Sequence, residues 1–402
     1  MVPLRTQNVT YDSAASKIRQ SMLATAMVDA LGGPPEFHKR FSFRLVTTMT
    51  PNKNFNLPPG VWTDDTSMTL CLARSLARYT PPSQEGHQPR TPGGFDERDQ
   101  LEAYTSWREL GTLSAIGRCF DIGNTISRAL TIYMTYTTEE PSANITEAAL
   151  CRIRDELGGE ECSGNGSLMR ILPIGLVYWH DEATARSFAR RSSVTTHPNS
   201  MCMEACEVWT GMIVRVMQNS GSATQYTKLD LVEYLANFQY SNETLQKALA
   251  LPIDVPSMPS KAEERESYYH KHHPILRLIA RTQPSPPTSN TGFSKNLPSE
   301  KELPSSGYVL HTMVAALYCF FATETFEEGA IMAVNLGSDA DTVGAIYAGL
   351  AGCWYSGEED AAASSAFWTS RVKKWRDELV KRELVEEVAD ELVRLRDRMQ
   401  YF

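Results

Sequence analysis

The chain has 402 residues, 42% of them apolar, and a formal net charge of −9, which is enough for a large core in one or two domains and argues against a nucleic-acid surface or affinity for anionic lipid. No run of about 18 apolar residues occurs, and Met1-Val2-Pro3-Leu4-Arg5 lacks the apolar stretch of a signal peptide. The eight cysteines show no C-x-x-C spacing, so the expectation is an intracellular, cytoplasmic protein whose cysteines are small core residues.

In chain order, residues 1–13 read as a flexible arm. A helix is predicted from Ala14 to Leu31, with Ile18, Met22, Leu23, Ala26, Met27 and Ala30 as its apolar side, and Gly32-Gly33-Pro34-Pro35 stops it. Glu36 follows on that Gly/Pro loop, and residues 38–60 form a connecting loop. Trp62-Thr63-Asp64-Asp65-Thr66-Ser67-Met68 then precedes an amphipathic run with Met68, Cys71, Leu72, Ser75, Leu76 and Tyr79 on one stripe. Thr80 to Arg98 is Pro/Gly-rich and polar, a surface excursion. Leu101 to Trp107 is helical, the glycine-bearing stretch Gly111 to Thr125 is a loop, and 126–158 holds one or two helices. Within it, Asn144-Ile145-Thr146 is a sequon that matters only in a secreted protein.

Further on, Gly164-Asn165-Gly166 forms a turn, and Thr196-His197-Pro198 precedes a helix carrying Met201, Ala205, Val208, Trp209, Met212, Ile213 and Val216. Residues 217–250 continue helical. From Leu251 to Gly307 the chain turns rich in Pro, Ser, Lys and Glu, and this is longer than an ordinary internal loop. Its His270, His272 and His273 fit a solvated segment or short helix better than a metal site. An apolar helix from Met313 to Phe321 leads to Asn335-Leu-Gly-Ser-Asp339-Ala-Asp341-Thr342, after which Ala340, Val343, Ile346, Tyr347, Leu350, Ala351 and Trp354 recur at helical spacing. The tail, 368–398, is a closing amphipathic helix or pair of helices. Without alternating strands, hairpin signals or repeats, the prediction is an all-α single domain over 14–402.

Two helix mouths, at Thr63-Asp64-Asp65 and at Asp339-Ala-Asp341-Thr342, carry more oxygen than a cap uses. Asp is a good N-cap and acids favour the positive end of the helix dipole, but a cap needs one carboxylate, and adjacent carboxylates repel unless something positive lies between them. Together the two clusters offer four carboxylates and two hydroxyls, about the oxygen inventory that two Mg²⁺ or Mn²⁺ ions share with waters and a substrate. Zinc is disfavoured, since neither cluster contains His or Cys. Gly344, Gly349 and Gly352 in the second helix point to tight packing, since each costs roughly 1 kcal/mol against Ala.

Thr63-Asp64-Asp65-Thr66 with Gly337-Ser-Asp339-Ala-Asp341-Thr342-Val-Gly344 resembles the paired metal motifs of the ADP-ribosylglycohydrolases. Three further stretches match in the family's order. Val28-Asp29-Ala30-Leu31-Gly32-Gly33-Pro34-Pro35-Glu36 departs from the family signature only at Val28, where Gly is usual, which implies slightly altered helix packing. Gly117-Arg118-Cys119-Phe120-Asp121-Ile122-Gly123-Asn124-Thr125 is similar to the family's nucleotide-side loop. Gly164-Asn165-Gly166-Ser167-Leu168-Met169-Arg170 keeps every fixed position of a turn that contacts ADP-ribose.

The resemblance covers roughly residues 14–357 and implies a compact orthogonal helical bundle, with 251–307 as an insertion. It implies two divalent cations, Mg²⁺ or Mn²⁺, held by Thr63, Asp64, Asp65, Asp339, Asp341 and Thr342. ADP-ribose would be bound by Gly117, Arg118 and Cys119, by Gly164, Asn165, Gly166, Ser167 and Met169, and by His197, with Phe120 in the core. Glu36, Asp339 and Asp341 are the catalytic candidates, and Asp29 is a buried structural acid. Without the resemblance, Glu36 reads as a solvated loop acid and Arg170 as a helix residue paired with a nearby acid.

The expected reaction is hydrolysis of an α-glycosidic bond between ADP-ribose and an acceptor, either a modified protein side chain or a small ADP-ribosyl compound. Three alternatives compete with it: a non-catalytic ADP-ribose-binding protein, a metal-dependent phosphoesterase, and a structural helical protein whose acids are only caps.

Overall fold

The structure is a computed structural model that describes residues 3–10, 12–78, 94–139, 145–219, 226–284, 297–359 and 366–399. Among these residues there are seventeen α-helices and no strand, only isolated bridges such as Gly164 with Tyr308. The first group is α1 (Ala14–Gly32), α2 (Asp64–Ala77), α3 (Glu97–Leu110), α4 (Asn124–Glu139), α5 (Ile145–Leu157) and α6 (Leu172–Val177). Next come α7 (Glu182–Val194), α8 (Ser200–Gln218), α9 (Lys228–Asn237), α10 (Glu243–Leu249), α11 (Ala262–His272) and α12 (Pro274–Thr282). The last are α13 (Val309–Ala322), α14 (Phe326–Val334), α15 (Ala340–Trp354), α16 (Ser370–Glu378) and α17 (Arg382–Met399). The excursion expected at 80–98 lies largely outside the described residues, as do Asn144 of the sequon and 285–296 within the Pro- and Ser-rich segment 251–307.

Eight helix starts follow ordinary side-chain capping chemistry. Ser13, Asp96, Asp181, Asn199, Thr227, Asn242, Thr325 and Thr369 each accept a backbone N–H of their own first turn, and Thr227 forms a full capping box with Asp230. Helices α2 and α15 depart from this. Thr63 and Asp339 occupy their N-cap positions, yet neither side chain makes a capping hydrogen bond. The capping reading of these acids therefore fails at both mouths.

The two helices that carry the site's scaffold are central. Every residue of α15 is buried, and α1 is buried from Lys17 onward apart from Arg19 and Gln20. They pack along each other, with α17, α2 and α14 around them. The glycines explain how close they come: a Cβ on Gly32 would lie 2.4 Å from the Asp341 Cα, and one on Gly344 would lie 2.9 Å from Val28 Cγ1. The Val28 departure thus fills the space that Gly344 leaves open.

Two expectations need correction. Residues 3–10 of the presumed arm are fixed: Leu4 is fully buried, Val9 N–H donates to Tyr226 O (2.9 Å) and Thr10 N–H to Trp354 O (3.1 Å). Of the three histidines read as solvated, His270 and His273 are buried, the latter with Nε2 2.9 Å from Leu249 O, because α11 and α12 fold back onto the bundle. Helix α11 is the short helix anticipated there.

Candidate active site

The site starts from Asp29 on α1. Its Oδ1 accepts from Thr63 N–H (2.9 Å) and Oγ1 (3.0 Å), and its Oδ2 accepts from Thr66 N–H (3.0 Å) and Oγ1 (2.5 Å). An acid from a neighbouring helix therefore does the capping of α2. Asp64 and Asp65 are left without a capping task and face a cavity of about 360 Å³.

That cavity is lined by six carboxylates, Glu36, Asp64, Asp65, Asp121, Asp339 and Asp341, and among the described lining residues there is no Lys or Arg. Asp65 Oδ2 accepts from Thr63 Oγ1 and Thr342 Oγ1, each at 3.2 Å, so the two motifs meet directly. Asp339 Oδ2 accepts from Asn165 Nδ2 at 2.6 Å, and the same amide nitrogen reaches Thr312 Oγ1 at 2.9 Å. The Asn165 turn is held in place by its backbone, with Asn165 N–H to Gly307 O (2.9 Å) and Val309 N–H to Ser163 O (3.0 Å).

Glu36 is not a solvated loop acid; it is 3% exposed. Its loop is pinned to the second motif by Phe37 N–H to Ser338 O (2.7 Å) and Ser338 N–H to His38 O (2.8 Å). Both Phe37 (φ 63°) and Ser338 (φ 60°) sit in the left-handed region, a strain that such loops carry next to functional sites.

Among the described lining residues, four buried carboxylate oxygens find no hydrogen-bond partner: Glu36 Oε2, Asp65 Oδ1, Asp121 Oδ2 and Asp341 Oδ1. Carboxylate oxygens of Glu36, Asp121 and Asp341 all lie within 4.8 Å of one another. Burial first, and then the neighbouring acids, push the Glu36 carboxyl up to about 11 and that of Asp121 up to about 7. Burial also raises Asp64, Asp65 and Asp341 well above the ordinary carboxylate range. Orphaned hard oxygens in a cavity without Lys or Arg could hold a divalent cation.

His197 closes the other side. Burial and then Arg170 push its imidazole down to about 3, so the ring is neutral. Arg170 is fully buried and donates to Thr195 Oγ1 (3.1 Å) and Thr196 Oγ1 (2.6 Å), and Thr196 Oγ1 lies 2.9 Å from His197 Nδ1. Arg170 is thus paired with hydroxyls rather than with an acid. With Arg170 donating, the Thr196 hydroxyl holds the ring through Nδ1, and Nε2 faces Gly164 and Gly166. A Cβ on Gly166 would meet His197 Cε1 and Ile126 Cδ1, both at 2.8 Å.

Of the residues singled out from sequence, the cavity lining includes Glu36, Asp64, Asp65, Gly164, Asn165, Gly166, Met169, His197, Asp339, Asp341 and Thr342. Thr63 lies behind it on Asp29 and Asp65, and Ser167 is fully buried against Ser193 Oγ (2.9 Å). Gly117, Arg118 and Cys119 are not in the lining; Gly117 and Arg118 are exposed, and the end of the same loop contributes Asp121 and Gly123 instead, with Asn124 and Thr125 from the start of α4. Asp121 went unselected because a single acid among apolar and amide residues carries no pattern; its φ of 62° and its orphaned oxygen are visible only in space. Phe120 is half-buried, edge-on to Phe55 at 5.4 Å.

The fold is all-α, and the first turns of its helices converge as a carboxylate cluster, beside the Gly164-Asn165-Gly166 turn, that could hold a hard cation. The sequence model of the ADP-ribosylglycohydrolase family matches residues 10–401, and the chain belongs to that family of glycohydrolases. It is 27% identical to the ADP-ribosylarginine hydrolase Tri1 of Serratia proteamaculans, covering 96% of this chain and 81% of that protein. It is 26% identical to the ADP-ribosyl-[dinitrogen reductase] glycohydrolase of Rhodospirillum rubrum, over 94% and 97% of the two chains. A solved structure titled as an ADP-ribosylglycohydrolase-related protein complex superposes with a TM-score of 0.59 at 28% identity, covering 96% of this chain and 99% of that one. Among the described residues no helix is long and apolar enough to cross a membrane.

Proposed function

We propose that the chain hydrolyses the α-glycosidic bond joining C1 of ADP-ribose to an acceptor, with two divalent cations, Mg²⁺ or Mn²⁺, as resident cofactors. The observation that carries this is the set of four buried, unpartnered carboxylate oxygens on Glu36, Asp65, Asp121 and Asp341 in a cavity whose described lining has no Lys or Arg. Asp64, Asp65, Asp339, Asp341, Thr342 and Asp121 would hold the cations, which when bound supply charge neutralisation, orientation of the sugar hydroxyls and a more acidic water. Thr63 fixes Asp65, and Asn165 fixes Asp339. The neutral His197 ring and the backbone around Gly164 and Gly166 suit the phosphate and ribose oxygens of the ligand.

Glu36 and the Asp339/Asp341 pair are placed to move protons as the bond breaks through an oxocarbenium-like state. A carboxyl that keeps its proton in this cavity suits a donor to the leaving acceptor, which favours Glu36 for that task. The protein substrate, or a small ADP-ribosyl compound, would approach from the side of the Glu36 loop. All eight cysteines are free, which supports an intracellular, reducing location.

Release of free ADP-ribose from an ADP-ribosylated arginine peptide, followed by chromatography with Mg²⁺, Mn²⁺ or EDTA, tests the reading. Turnover that needs a divalent cation and falls by about two orders of magnitude or more in Asp341→Asn is expected. ADP-ribose binding without turnover on any conjugate would favour a binding protein.

A further inference from the structure

The loop that carries Glu36 has few apolar anchors. Of residues 37–44 only Arg40 is buried, and the aromatic contacts are the edge of Phe37 against Phe55 (ring centroids 6.1 Å) and the half-buried Phe43. The Arg40 guanidinium donates through Nε to Leu336 O (2.9 Å), through Nη1 to Pro298 O (2.6 Å), and through Nη2 to Leu303 O (2.6 Å) and Ser305 Oγ (3.3 Å). Its backbone N–H donates to Glu300 Oε1 (2.6 Å). One residue therefore ties together three segments far apart in the chain: the Glu36 loop, the end of the 251–307 segment and the turn before Asp339.

The same segments meet again through Ser305. Its Oγ donates to Gly337 O (3.0 Å), and its carbonyl accepts the N–H of Asp339 (2.9 Å), the N-cap residue of α15. Gly337 makes room for the junction: its φ is 70°, and a Cβ there would lie 2.6 Å from His38 O and 3.1 Å from the Arg40 backbone nitrogen. A buried guanidinium is costly to desolvate unless hydrogen bonds satisfy it. Here its four described acceptors are three carbonyls and a hydroxyl, which satisfy the N–H groups without neutralising the charge. An apolar side chain would fill the same space at lower cost. What the planar fork alone supplies is direction, with N–H groups aimed at fixed angles toward both the 298–305 stretch and the turn before Asp339.

We propose that Arg40 is a positioning residue for the reaction, with the end of the 251–307 segment as its brace: together they set where Glu36 stands over the bound sugar. This rests on the hydrolase reading above, in which Glu36 gives a proton to the leaving acceptor. Arg40 is not in the lining of the carboxylate cavity, so it acts through the loop that it holds. The Asp339 side of the junction has its own support, since Asn165 Nδ2 donates to Asp339 Oδ2 at 2.6 Å. Loss of the Arg40 fork therefore frees the Glu36 side first. ADP-ribose and cations still bind, the proton donor is misplaced, and the cost falls on leaving groups that need a proton.

The test compares wild type, Arg40→Lys, Ser305→Ala, Glu36→Gln and the double variant Arg40→Lys with Glu36→Gln on two substrates. One is a peptide carrying ADP-ribose on arginine or serine, whichever wild type cleaves. The other carries 4-nitrophenol at C1 of the same sugar, which leaves as the phenolate and needs no proton. Arg40→Lys keeps the charge and loses the fork. Ser305→Ala removes one acceptor and keeps Arg40, so it decides the matter where Arg40→Lys does not fold. The expected result is a loss of about tenfold to a hundredfold in kcat on the peptide for Arg40→Lys and a smaller loss for Ser305→Ala. Activity on the nitrophenyl substrate, and affinity for ADP-ribose and Mg²⁺, stay near wild type in both. In the Glu36→Gln background the Arg40→Lys loss disappears, because the two residues act as one unit. Equal losses on both substrates, losses that add in the double variant, or full peptide activity in Arg40→Lys overturn the assignment and leave the hydrolase reading intact. So does full peptide activity in Ser305→Ala where Arg40→Lys does not fold. Wild type that releases ADP-ribose from neither substrate removes both.

Discussion

At the scale of single residues, the chemistry turns on where protons sit when cations are absent. Glu36 at about 11 keeps its proton at neutral pH and Asp121 at about 7 is partly protonated there, because burial and neighbouring acids penalise their charge. Cation binding at Asp121 must displace its share of proton, while Glu36 keeps its own for the leaving acceptor. Titrating Mg²⁺ into EDTA-treated, dialysed protein at pH 7 in two buffers of different ionisation enthalpy is therefore expected to show net proton release, and a buffer-independent heat would contradict it. Asp121→Asn should lower cation affinity by about tenfold or more, a result that a merely structural acid would not give.

The sequence made Asp64, Asp65, Asp339 and Asp341 legible because each pair sits at a predicted helix mouth with a threonine. It concealed Asp121, whose partners Glu36 and Asp341 are far away along the chain and come together only when the loops close. For the same reason Gly117, Arg118 and Cys119 drew attention by type, while the cavity is reached by residues a few positions later in the same loop.

At the scale of elements, the site depends on α1 lying against the start of α2 and of α15. Asp29 is the link: four donors converge on its two oxygens. In Asp29→Asn one donor-bearing nitrogen must face Thr63 or Thr66 donors, so a loss of about 1–3 kcal/mol is expected by denaturant unfolding. Gly32→Ala places a Cβ 2.4 Å from the Asp341 Cα. It should cost about 1–3 kcal/mol and weaken cation binding together with stability, whereas an overpacked position away from the site would change stability alone. Helix extents were readable from apolar spacing, and α1, α13 and α15 begin and end close to the predicted positions. The division of labour between a cap and a ligand was not, because it depends on Asp29 reaching across from another helix.

For the whole molecule, pH acts through two groups of buried sites with opposite sign. His197 and His273 stay neutral in the fold, with burial as the first cause, at about 3 and about 4. The unfolded chain takes up protons at their ordinary value of about 6.5. Stability from these two is present above about 6.5 and is lost as pH falls toward about 4, with or without cation. The acids run the other way: Asp29 at about 6 and Asp121 at about 7 lie above their unfolded values. Cation-free protein thus loses stability as pH rises from about 4 through about 7. The difference in Tm between Mg²⁺ and EDTA should widen from pH 6 to pH 8, measured by scanning calorimetry, and a constant difference would contradict the linkage.

The bundle could be anticipated from the chain's helical periodicity. The packing of α11 and α12, and of residues 3–10, could not, since a polar, Pro-rich composition says little about which few apolar side chains, such as Leu4 or Ile275, are buried.

The central claim is that the carboxylate cavity holds divalent cations. Crystals grown with Mn²⁺ and ADP-ribose, measured at a wavelength where manganese scatters anomalously, address it directly. Two anomalous peaks among Asp64, Asp65, Asp121, Asp339 and Asp341 are predicted. A cavity that binds ADP-ribose with no anomalous peak among those residues would contradict it.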